Sequence, residues 1–282
     1  MSRILALLTS DPNRVRCAVH PLRQDLVATR ETRLDGWGIG YYQDNEILLR
    51  KRPQSAREPM QLAPLVSELR TDALLLHVRE ATVGSWTMEN THPFRFGQWL
   101  FAHRGTLGAF AAIQSELLAR IPAFLHPSLR GETDSEHAFH LFLSRLADHG
   151  RLEDPNVDSR FVAGVLARTL AELDSLAAQA GVSTPAPGNF MVTNGRLLVA
   201  TRRGLPMHYV KRVGIEACEV CAPSAEPVRG QQGVVGHPLL RYVAVASDLR
   251  ASPHAQDWLP VPDGSVVTVR RNLDVELAPL AL

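Results

Sequence analysis

The chain has 282 residues, of which 45% are hydrophobic and 21% are charged, and its formal net charge is +1. These values are typical of a globular protein, and the small net charge gives no electrostatic case for binding nucleic acid or an anionic membrane. No apolar run reaches the length of a membrane span, and the first residues lack the layout of a signal peptide. The three cysteines, Cys17, Cys218 and Cys221, suggest reduced thiols rather than a disulfide framework, so we expect a cytoplasmic protein.

The pattern of the first eight residues predicts a buried strand, and the second residue, Ser2, carries a hydroxyl group. Met1 to Leu8 is an apolar run of strand length, and chain ends fray unless they are tied into a sheet. Ser2 is small enough that removal of Met1 is expected, which would leave a hydroxyl and a free α-amine on one residue. Many chains begin with Met-Ser, so this dipeptide alone favours no special role.

Hydrophobic periodicity and turn signals predict the remaining elements. Asp11 and Pro12 mark a helix start, because a carboxylate caps the first turn and proline suits the first helical position. Thr133 and Glu136 form a capping box that opens a long helix. The predicted helices follow Asp11 and Thr133 and span residues 59–69, 109–119 and 161–176. The predicted strands are residues 1–8, 35–42, 46–50, 73–79, 99–103, 189–192, 196–200, 242–246 and 265–269, with others near Tyr209 and Ala217.

The order of these elements predicts the fold class. Strands come first, two long helices follow, and strands close the chain, which indicates a layered α+β fold with mostly antiparallel sheets. No internal repeat or low-complexity linker divides the sequence. We therefore expect residues 1–282 to form one domain.

Polar groups gather where predicted strands and one helix cap end, which is where a scaffold presents groups to a ligand. Arg79 offers a planar fork for a carboxylate, and Asp134 offers an anion for an ammonium group. Together they would hold the two ends of an α-amino acid, with Ser2 and its own amine as nucleophile and base. Spacing alone favours a simpler interpretation, in which Arg79 and Asp134 are surface charges and part of a helix cap.

Several longer motifs favour the amino-acid site over the simpler interpretation, because they occur in the order found in one family. The chain resembles the class II glutamine amidotransferases, which are N-terminal-nucleophile hydrolases, and most closely the stand-alone bacterial branch that includes the ergothioneine-pathway γ-glutamyl hydrolase. The matching motifs are Asp35-Gly-Trp-Gly-Ile-Gly-Tyr41, His77-Val-Arg-Glu-Ala-Thr-Val-Gly84, Thr91-His-Pro-Phe94, Phe101-Ala-His-Arg-Gly-Thr106 and Gly131-Glu-Thr-Asp-Ser-Glu136, with later echoes at 189–195, 200–202, 245–248 and 258–262.

The resemblance implies a fold and a set of roles. The fold is a four-layer αββα sandwich, and the nucleophile is the residue after Met1, which is Ser2. Arg79 would bind the carboxylate of glutamine, with Thr82 shaping that pocket. Asp134 would bind the amine of glutamine. No cofactor is implied.

Two positions depart from the family pattern, and both are positions that take part in catalysis in that family. Ser2 stands where nearly all such enzymes have cysteine, and a hydroxyl needs more activation than a thiol. Arg104 stands where the family has an asparagine that forms the oxyanion hole with the N–H of the next residue, Gly105. Loss of one such donor typically lowers turnover about 100–1000-fold. The longer Arg104 side chain could also fill the pocket or pair with a carboxylate such as Asp35.

Two functions follow from this pattern. The first is an amidohydrolase that acts on glutamine or a γ-glutamyl amide, either alone or as a subunit serving a separate synthase. The second is a catalytically silent amino-acid-binding or regulatory homologue that keeps the clamp of Arg79 and Asp134. The substrate is a small molecule in both cases, and neither nucleic acid nor membrane is expected as a partner.

Three other patterns carry less weight. Cys218 and Cys221 have metal-ligand spacing, but no second pair accompanies them, so no metal site is expected. His137 and His140 lie on one face of the helix after Thr133, where a packing role is the simpler interpretation. The glycine run at residues 36–40 lacks the strand-turn-helix context of a dinucleotide site and indicates close backbone approach or an irregular strand instead.

Overall fold

The computed structural model describes residues 2–22, 36–44, 46–53, 62–80, 84–221, 235–247 and 257–281. The helices within these ranges are α1 (Val15–Val19), α2 (Leu62–Ser67), α3 (Phe110–Ala119), α4 (Asp134–Asp148) and α5 (Ser159–Gln179). The strands are β1 (Arg3–Thr9), β2 (Gly36–Gln43), β3 (Glu46–Pro53), β4 (Ala73–Arg79), β5 (Phe94–Phe96), β6 (Trp99–Gly105), β7 (Gly188–Thr193), β8 (Leu197–Arg202), β9 (Met207–Val213), β10 (Arg241–Ser247), β11 (Leu259–Pro260), β12 (Ser265–Arg270) and β13 (Val275–Pro279).

The strands form two sheets. The larger has the order β11-β9-β10-β1-β4-β2-β3 and the smaller has the order β13-β12-β8-β7-β6-β5. Every described ladder is antiparallel. The first strand lies inside the larger sheet, where Leu5 pairs with Ala246 of β10 and with Leu76 of β4. All seven residues of β1 are buried, because both faces of this strand are covered.

Side-chain caps explain where two of the helices begin. The Asp11 carboxylate accepts a hydrogen bond from the backbone N–H of Asn13 at 2.9 Å, which opens a 3₁₀ turn that leads into α1. Asp158 caps α5 by accepting from the N–H of residue 161 at 3.1 Å, among others. The helix therefore begins at Ser159, two residues before the predicted start.

The predicted capping box at the start of α4 is half formed. Thr133 Oγ1 accepts the backbone N–H of Glu136 at 3.2 Å, as predicted. The carboxylate of Glu136 accepts the N–H groups of Arg130 and Gly131, at 3.1 and 2.6 Å, instead of the N–H of Thr133. Glu136 thus orders the loop that precedes the helix as well as the helix itself.

Three apolar cores separate four layers. The core between the two sheets includes Ile4, Ala6, Leu100, Ala102 and Val267. The core between the smaller sheet and α3 to α5 includes Phe101, Phe139, Phe142, Leu166 and Phe190. The core on the outer face of the larger sheet, against α1 and α2, includes Leu5, Leu7, Val15, Val66 and Leu76. The result is the α+β architecture expected from the sequence, a four-layer αββα sandwich of antiparallel sheets.

One predicted strand is wrong, and three of the observed strands were not predicted. Residues 214–221 form bends and turns, so the strand expected near Ala217 is not present. The missed strands β5, β11 and β13 all lie at the ends of their sheets. An edge strand is held by its one neighbour more than by local preference, so a short edge segment leaves a weak sequence signal.

Among the described residues, no helix is both long and apolar enough to cross a membrane.

Candidate active site

Three strand ends and one helix start meet at a pocket of about 350 Å³. The start of β1, the ends of β4 and β6 and the start of α4 supply its walls. The pocket brings together the residues predicted to form the site, apart from Thr82, which lies outside the described residues: Ser2, Arg79, Arg104, Gly105 and Asp134. A larger depression of about 790 Å³ near Tyr42 includes none of these five in its lining.

The alternation of β1 sets the direction of Ser2. Ile4 and Ala6 lie in the core between the sheets, and side chains two residues apart share a face of a strand. Ser2 therefore belongs to the inner face of the larger sheet. Its Oγ accepts the backbone N–H of Glu80 at 2.9 Å and lies 3.1 Å from the carbonyl oxygen of Glu80, to which it donates. These two bonds fix the hydroxyl at the end of β4.

Arg79 is the last residue of β4 and is buried, with 4% of its surface exposed. Its guanidinium donates from Nη2 to the carbonyl oxygen of Gly84 at 3.2 Å and from Nη1 to that of Ser85 at 3.1 Å. Glu132 in turn accepts hydrogen bonds from the backbone N–H and the hydroxyl of Ser85, both at 2.8 Å. The loop that follows β4 thus holds the planar fork of Arg79 in place at the pocket wall.

Asp134 is the first residue of α4, at the positive end of the helix dipole, which favours a carboxylate. Its Oδ2 accepts the N–H of Leu107 at 2.7 Å, and its Oδ1 accepts the N–H and the hydroxyl of Ser135 at 2.7 and 3.1 Å. A carboxylate oxygen has two lone pairs, so Oδ2 has capacity for a second donor such as an ammonium group. The side chain is buried, and its orientation is set by the backbone.

Arg104 and Gly105 end β6 on the side where an oxyanion hole is expected. Leu100 and Ala102 lie in the core between the sheets, so alternation puts Arg104 on the same inner face. Its Nη1 donates to the carbonyl oxygen of Pro206 at 3.4 Å, and its side chain is 2% exposed. Gly105 has φ +142°, a conformation that favours glycine. Asp35, the suggested partner of Arg104, lies outside the described residues.

Three buried histidines, His77, His92 and His103, line the same pocket. Burial lowers the pKa of His77 to about 3, and the charge of Arg79 adds to this effect. Burial also lowers the pKa of His103 to about 4, against the opposing influence of Asp134, and holds the pKa of His92 well below its usual range. All three rings are therefore neutral near pH 7. Bases this weak are poor candidates to activate Ser2.

The groups that support the site were not among the predicted site residues. The backbone of Glu80 anchors Ser2, and Ser135 connects Asp134 to His103 through a 2.9 Å contact between Oγ and Nδ1. Leu205 reaches the pocket from the connection between β8 and β9. Leu205 belongs to no motif, so no sequence signal marks it. The Nδ1 atoms of His137 and His140, for which packing was the simpler interpretation, each lie 2.8 Å from a backbone carbonyl oxygen one turn earlier.

Comparison with known proteins identifies the sequence family. Residues 1–221 match the family model described as glutamine amidotransferases class-II. A Saccharomyces cerevisiae protein named "Probable glutamine amidotransferase DUG3" is 27% identical over 254 residues, which are 84% of this chain and 70% of the yeast protein. The Escherichia coli protein YafJ, also named as a glutamine amidotransferase, is 30% identical over 173 residues, which are 59% of each chain.

Solved structures share the fold. A glutamine aminotransferase class-II domain protein from Silicibacter pomeroyi superposes with a TM-score of 0.62 and 20% identity, over 99% of this chain and 100% of that chain. The glutamine phosphoribosylpyrophosphate amidotransferase from B. subtilis superposes with a TM-score of 0.58 and 14% identity, over 99% of this chain and 49% of that chain. Likeness at these identities concerns the fold alone. Since this chain spans about half of the B. subtilis protein and 59% of YafJ, their substrates and partners do not follow for it.

Proposed function

Because the chain belongs to the class II glutamine amidotransferase family, we propose that it is an amidohydrolase that acts on glutamine or a γ-glutamyl amide, with Ser2 as its nucleophile. The proposal treats residues 1–282 as one such domain. The observation that carries it is the meeting of the Ser2 hydroxyl, the Arg79 guanidinium and the Asp134 carboxylate in one pocket. A cation and an anion are complementary to the two ends of an α-amino acid, and the hydroxyl is a nucleophile for the side-chain amide.

Binding uses the two buried charged residues. Arg79 binds the α-carboxylate of the substrate by donating from its planar fork, which two backbone carbonyls already orient. Asp134 binds the α-ammonium group through Oδ2, while its backbone hydrogen bonds keep the carboxylate fixed. Thr82 is proposed to complete the carboxylate pocket. This pair of contacts selects free α-amino acids and excludes amides that lack either charged group.

The reaction begins when Ser2 Oγ attacks the γ-carbonyl carbon. The α-amine of Ser2, exposed by removal of Met1, takes the hydroxyl proton, since an α-amine titrates near ~8 and the three pocket histidines are far weaker bases. The α-ammonium group of Ser2 then gives this proton to the amide nitrogen of the substrate. The C–N bond breaks, and the nitrogen leaves as ammonia or as an amine. Water attacks the resulting γ-glutamyl ester, releases a γ-carboxylate and restores the hydroxyl of Ser2.

The oxyanion formed in each step needs hydrogen-bond donors. The backbone N–H of Gly105 is the first proposed donor, in the conformation that β6 gives it. Arg104 is the proposed second donor, in place of the asparagine of the family. Its Nη1 donates to the carbonyl oxygen of Pro206 at 3.4 Å, and Arg104 lines the pocket beside Gly105 and Ser2.

Steady-state release of ammonia from glutamine, and of amine from γ-glutamyl amides, tests the proposal. The intact mass of the protein is measured first, because a retained Met1 places the α-amine in a peptide bond and removes the base. Processed protein is expected to turn over at least one of these substrates. Ser2→Ala is expected to abolish that turnover, and Ser2→Cys to keep it. Absence of turnover by freshly purified, processed protein would show that it is not an amidohydrolase.

A matched pair of arginine variants tests the clamp. Arg79→Lys keeps the charge but loses the planar fork, so KM for glutamine is expected to rise at least about tenfold. Arg168→Lys makes the same chemical change on the exposed surface of α5 and is expected to leave KM unchanged. Equal KM values for the two variants would remove Arg79 from the substrate site.

A second function is supported by the two altered catalytic positions. The Ser2 hydroxyl is already engaged by both backbone groups of Glu80, and Arg104 replaces a neutral donor. An amino-acid-binding or regulatory homologue would show calorimetric binding of glutamine without turnover, and Arg79→Ala would weaken that binding. In this case Ser2→Cys combined with Arg104→Asn is expected to introduce turnover. Loss of a measurable hydrolysis in Ser2→Ala rules this second function out.

The fate of the product amine depends on which partner is present. We propose two arrangements, a free-standing hydrolase and a subunit that supplies ammonia to a separate synthase. Co-purification with a synthase and dependence of product formation on the intact Ser2 nucleophile would support the second arrangement. A full hydrolysis rate in the isolated chain, unchanged by cell extract, would support the first.

A further inference from the structure

Four potential metal ligands converge on the outer side of the larger sheet, away from the pocket. They are Cys17, Cys218, Cys221 and His237, and one ligand atom from each lies within 4.8 Å of the ligand atoms of the other three. We propose that these four residues bind one Zn²⁺ ion in a structural Cys₃His site. The proposal is independent of the hydrolase function, because Ser2 faces the opposite side of the same sheet.

The four residues come from three separate parts of the chain. Cys17 lies on α1, the first helix after β1 and the 3₁₀ turn that follows it. Cys218 and Cys221 form a Cys-x-x-Cys turn after β9, and His237 precedes β10. The absence of a second cysteine pair had argued against a metal site at this turn. The fold supplies the third and fourth ligands from positions about 200 residues earlier and 16 residues later.

The sulfur positions suit a tetrahedral ion. Cys17 Sγ and Cys221 Sγ are 3.6 Å apart, and a tetrahedron with zinc–sulfur bonds of about 2.3 Å has edges of about 3.8 Å. A disulfide would require sulfur atoms about 2.05 Å apart, and all three cysteines are free. The thiols are thus spaced for a shared ion rather than for a bond between them.

Backbone hydrogen bonds hold this geometry together. The N–H of Cys218 donates to the carbonyl of Val235 at 2.8 Å, and the N–H of Cys221 donates to the carbonyl of Cys218 at 3.2 Å. His237 exchanges two hydrogen bonds with Ile215, at 2.7 and 3.1 Å. The Cys-x-x-Cys turn and the histidine are therefore positioned by the main chain, which gives the site its pre-organisation.

One ring nitrogen supplies an independent observation. His237 Nε2 is buried and has no hydrogen-bond partner among the residues that the structure describes. A buried polar atom without a partner is unfavourable, and a neutral imidazole nitrogen is a common zinc ligand. Coordination of zinc by the His237 ring would make the imidazole the fourth ligand, next to the three sulfur ligands.

The surroundings favour zinc over other occupants. Cys17 and Cys218 are almost fully buried in an apolar core, where thiolate ligands select soft or borderline metals over magnesium or calcium. Four protein ligands leave no open position, which is typical of structural rather than catalytic zinc. Binding of Zn²⁺ displaces the three thiol protons to solvent and gives the site a net charge of −1. Arg14, whose Nη1 lies 3.5 Å from Cys221 Sγ, partly neutralises that charge.

The ion would tie the first strand to its neighbour. Cys17 follows β1 through α1, and His237 leads into β10, which is hydrogen-bonded to β1. A metal that joins these two segments from outside the sheet would stabilise the strand that carries Ser2. Its contribution is to the fold, so removal of the metal is expected to affect thermal stability before it affects the substrate pocket.

Metal content of the wild-type chain is the first test. Protein expressed with added zinc and purified under reducing conditions is expected to contain one zinc equivalent by elemental mass spectrometry. Its three thiols are expected to resist alkylation until the protein is denatured or treated with a strong chelator. Cobalt substitution is expected to give the absorption of tetrahedral Co²⁺ with sulfur ligands. A reduced, folded chain that binds neither metal, and whose thiols react as fast with zinc present as without it, would overturn the proposal.

Matched variants separate ligation from folding. Cys221→Ser and His237→Ala are expected to lose most of the bound zinc and to lower Tm, and added chelator should lower the Tm of the wild type but not of these variants. His149→Ala is the control, because that histidine is exposed on the other side of the molecule beside Phe161, and it should keep one zinc equivalent. Full zinc content in both Cys221→Ser and His237→Ala would also overturn the proposal, even if either variant is less stable.

Discussion

Mild acidification is expected to destabilise the fold through the histidines that line the pocket. Burial lowers the pKa of His77 to about 3 and that of His103 to about 4, so both rings are neutral in the folded protein well below pH 7. In the unfolded chain the same rings titrate near ~6.5. A pKa that is lower in the folded state gives stability that is complete above the unfolded value. This stability is therefore lost as the pH falls below about 6.5 and continues to fall until the folded pKa values are reached.

The size of the effect follows from the unfolded chain. At about pH 5.5 an unfolded histidine is protonated in a ratio of about ten to one, which favours unfolding by about 1.4 kcal/mol per ring. His77 and His103 together give about 3 kcal/mol between about pH 7.5 and about pH 5.5, and His92, whose pKa burial also holds well below its usual range, adds to the loss. This loss of free energy changes little with the folded-state pKa values of His77 and His103, because both values lie more than one pH unit below the lower of the two pH values. Glu136 opposes it in part, since burial raises the pKa of that carboxyl.

Urea unfolding at the two pH values measures this loss. His77→Leu removes one titrating ring, so its loss of stability on acidification is expected to be smaller than that of the wild type by about 1.4 kcal/mol. His149→Gln is the control, because its exposed side chain meets solvent in the folded and unfolded states alike. Equal losses of stability on acidification in the wild type, His77→Leu and His149→Gln would refute the contribution assigned to His77.

The remaining predictions concern packing and catalysis. Gly38→Ala would place a Cβ atom against the backbone carbonyl oxygen of His92, in the loop before β5, so a loss of about 3 kcal/mol is expected in urea unfolding. Gly164→Ala, where the added carbon meets open space within α5, should instead stabilise the fold by about 0.5–1 kcal/mol. Phe142→Ala in the core is expected to cost about 3–5 kcal/mol, whereas Phe124→Ala, at a side chain that is 58% exposed, should change stability by less than about 0.5 kcal/mol. For the proposed hydrolase, kcat/KM should rise with pH through a midpoint near ~8, the pKa of an α-amine. A midpoint near pH 4, where His103 would titrate, would assign the base to that ring instead.

Local sequence signals were sufficient for the elements that carry the site. The strand predicted at residues 73–79 has those bounds in the structure, because its apolar run is buried on both faces and Arg79 marks its end. The helix after Thr133 was predicted from a cap, and the cap is formed. The glycine run at residues 36–40 was predicted to allow close backbone approach, and at Gly38 the carbonyl of His92 occupies the space that a side chain would need. Each of these signals acts over a few residues, so it can be read in order along the chain.

The contacts that hold the site residues in place could not be predicted from such local signals. The bond between Ser135 and His103 and the two bonds that hold Ser2 on Glu80 join residues that are 32 and 78 positions apart. No local pattern encodes such a pairing, because it depends on how sheets and helices stack. The same reason explains why the cluster of three cysteines and a histidine was not predicted, since Cys17 and His237 come close to Cys218 and Cys221 only when the first helix and the connection before β10 pack on one face of a sheet.

The sequence by itself determined most of the element types and the α+β class, because periodicity and caps are local properties. The order of the motifs suggested the amino-acid clamp of Arg79 and Asp134 that is proposed above. Tertiary structure decided that Ser2, Arg79, Arg104, Gly105 and Asp134 share one pocket. It also decided that the pocket histidines are neutral and that three cysteines and a histidine form a second cluster on the other side of the sheet. These properties depend on burial and on distances between remote segments, which exist only once the two sheets and their flanking helices have packed together.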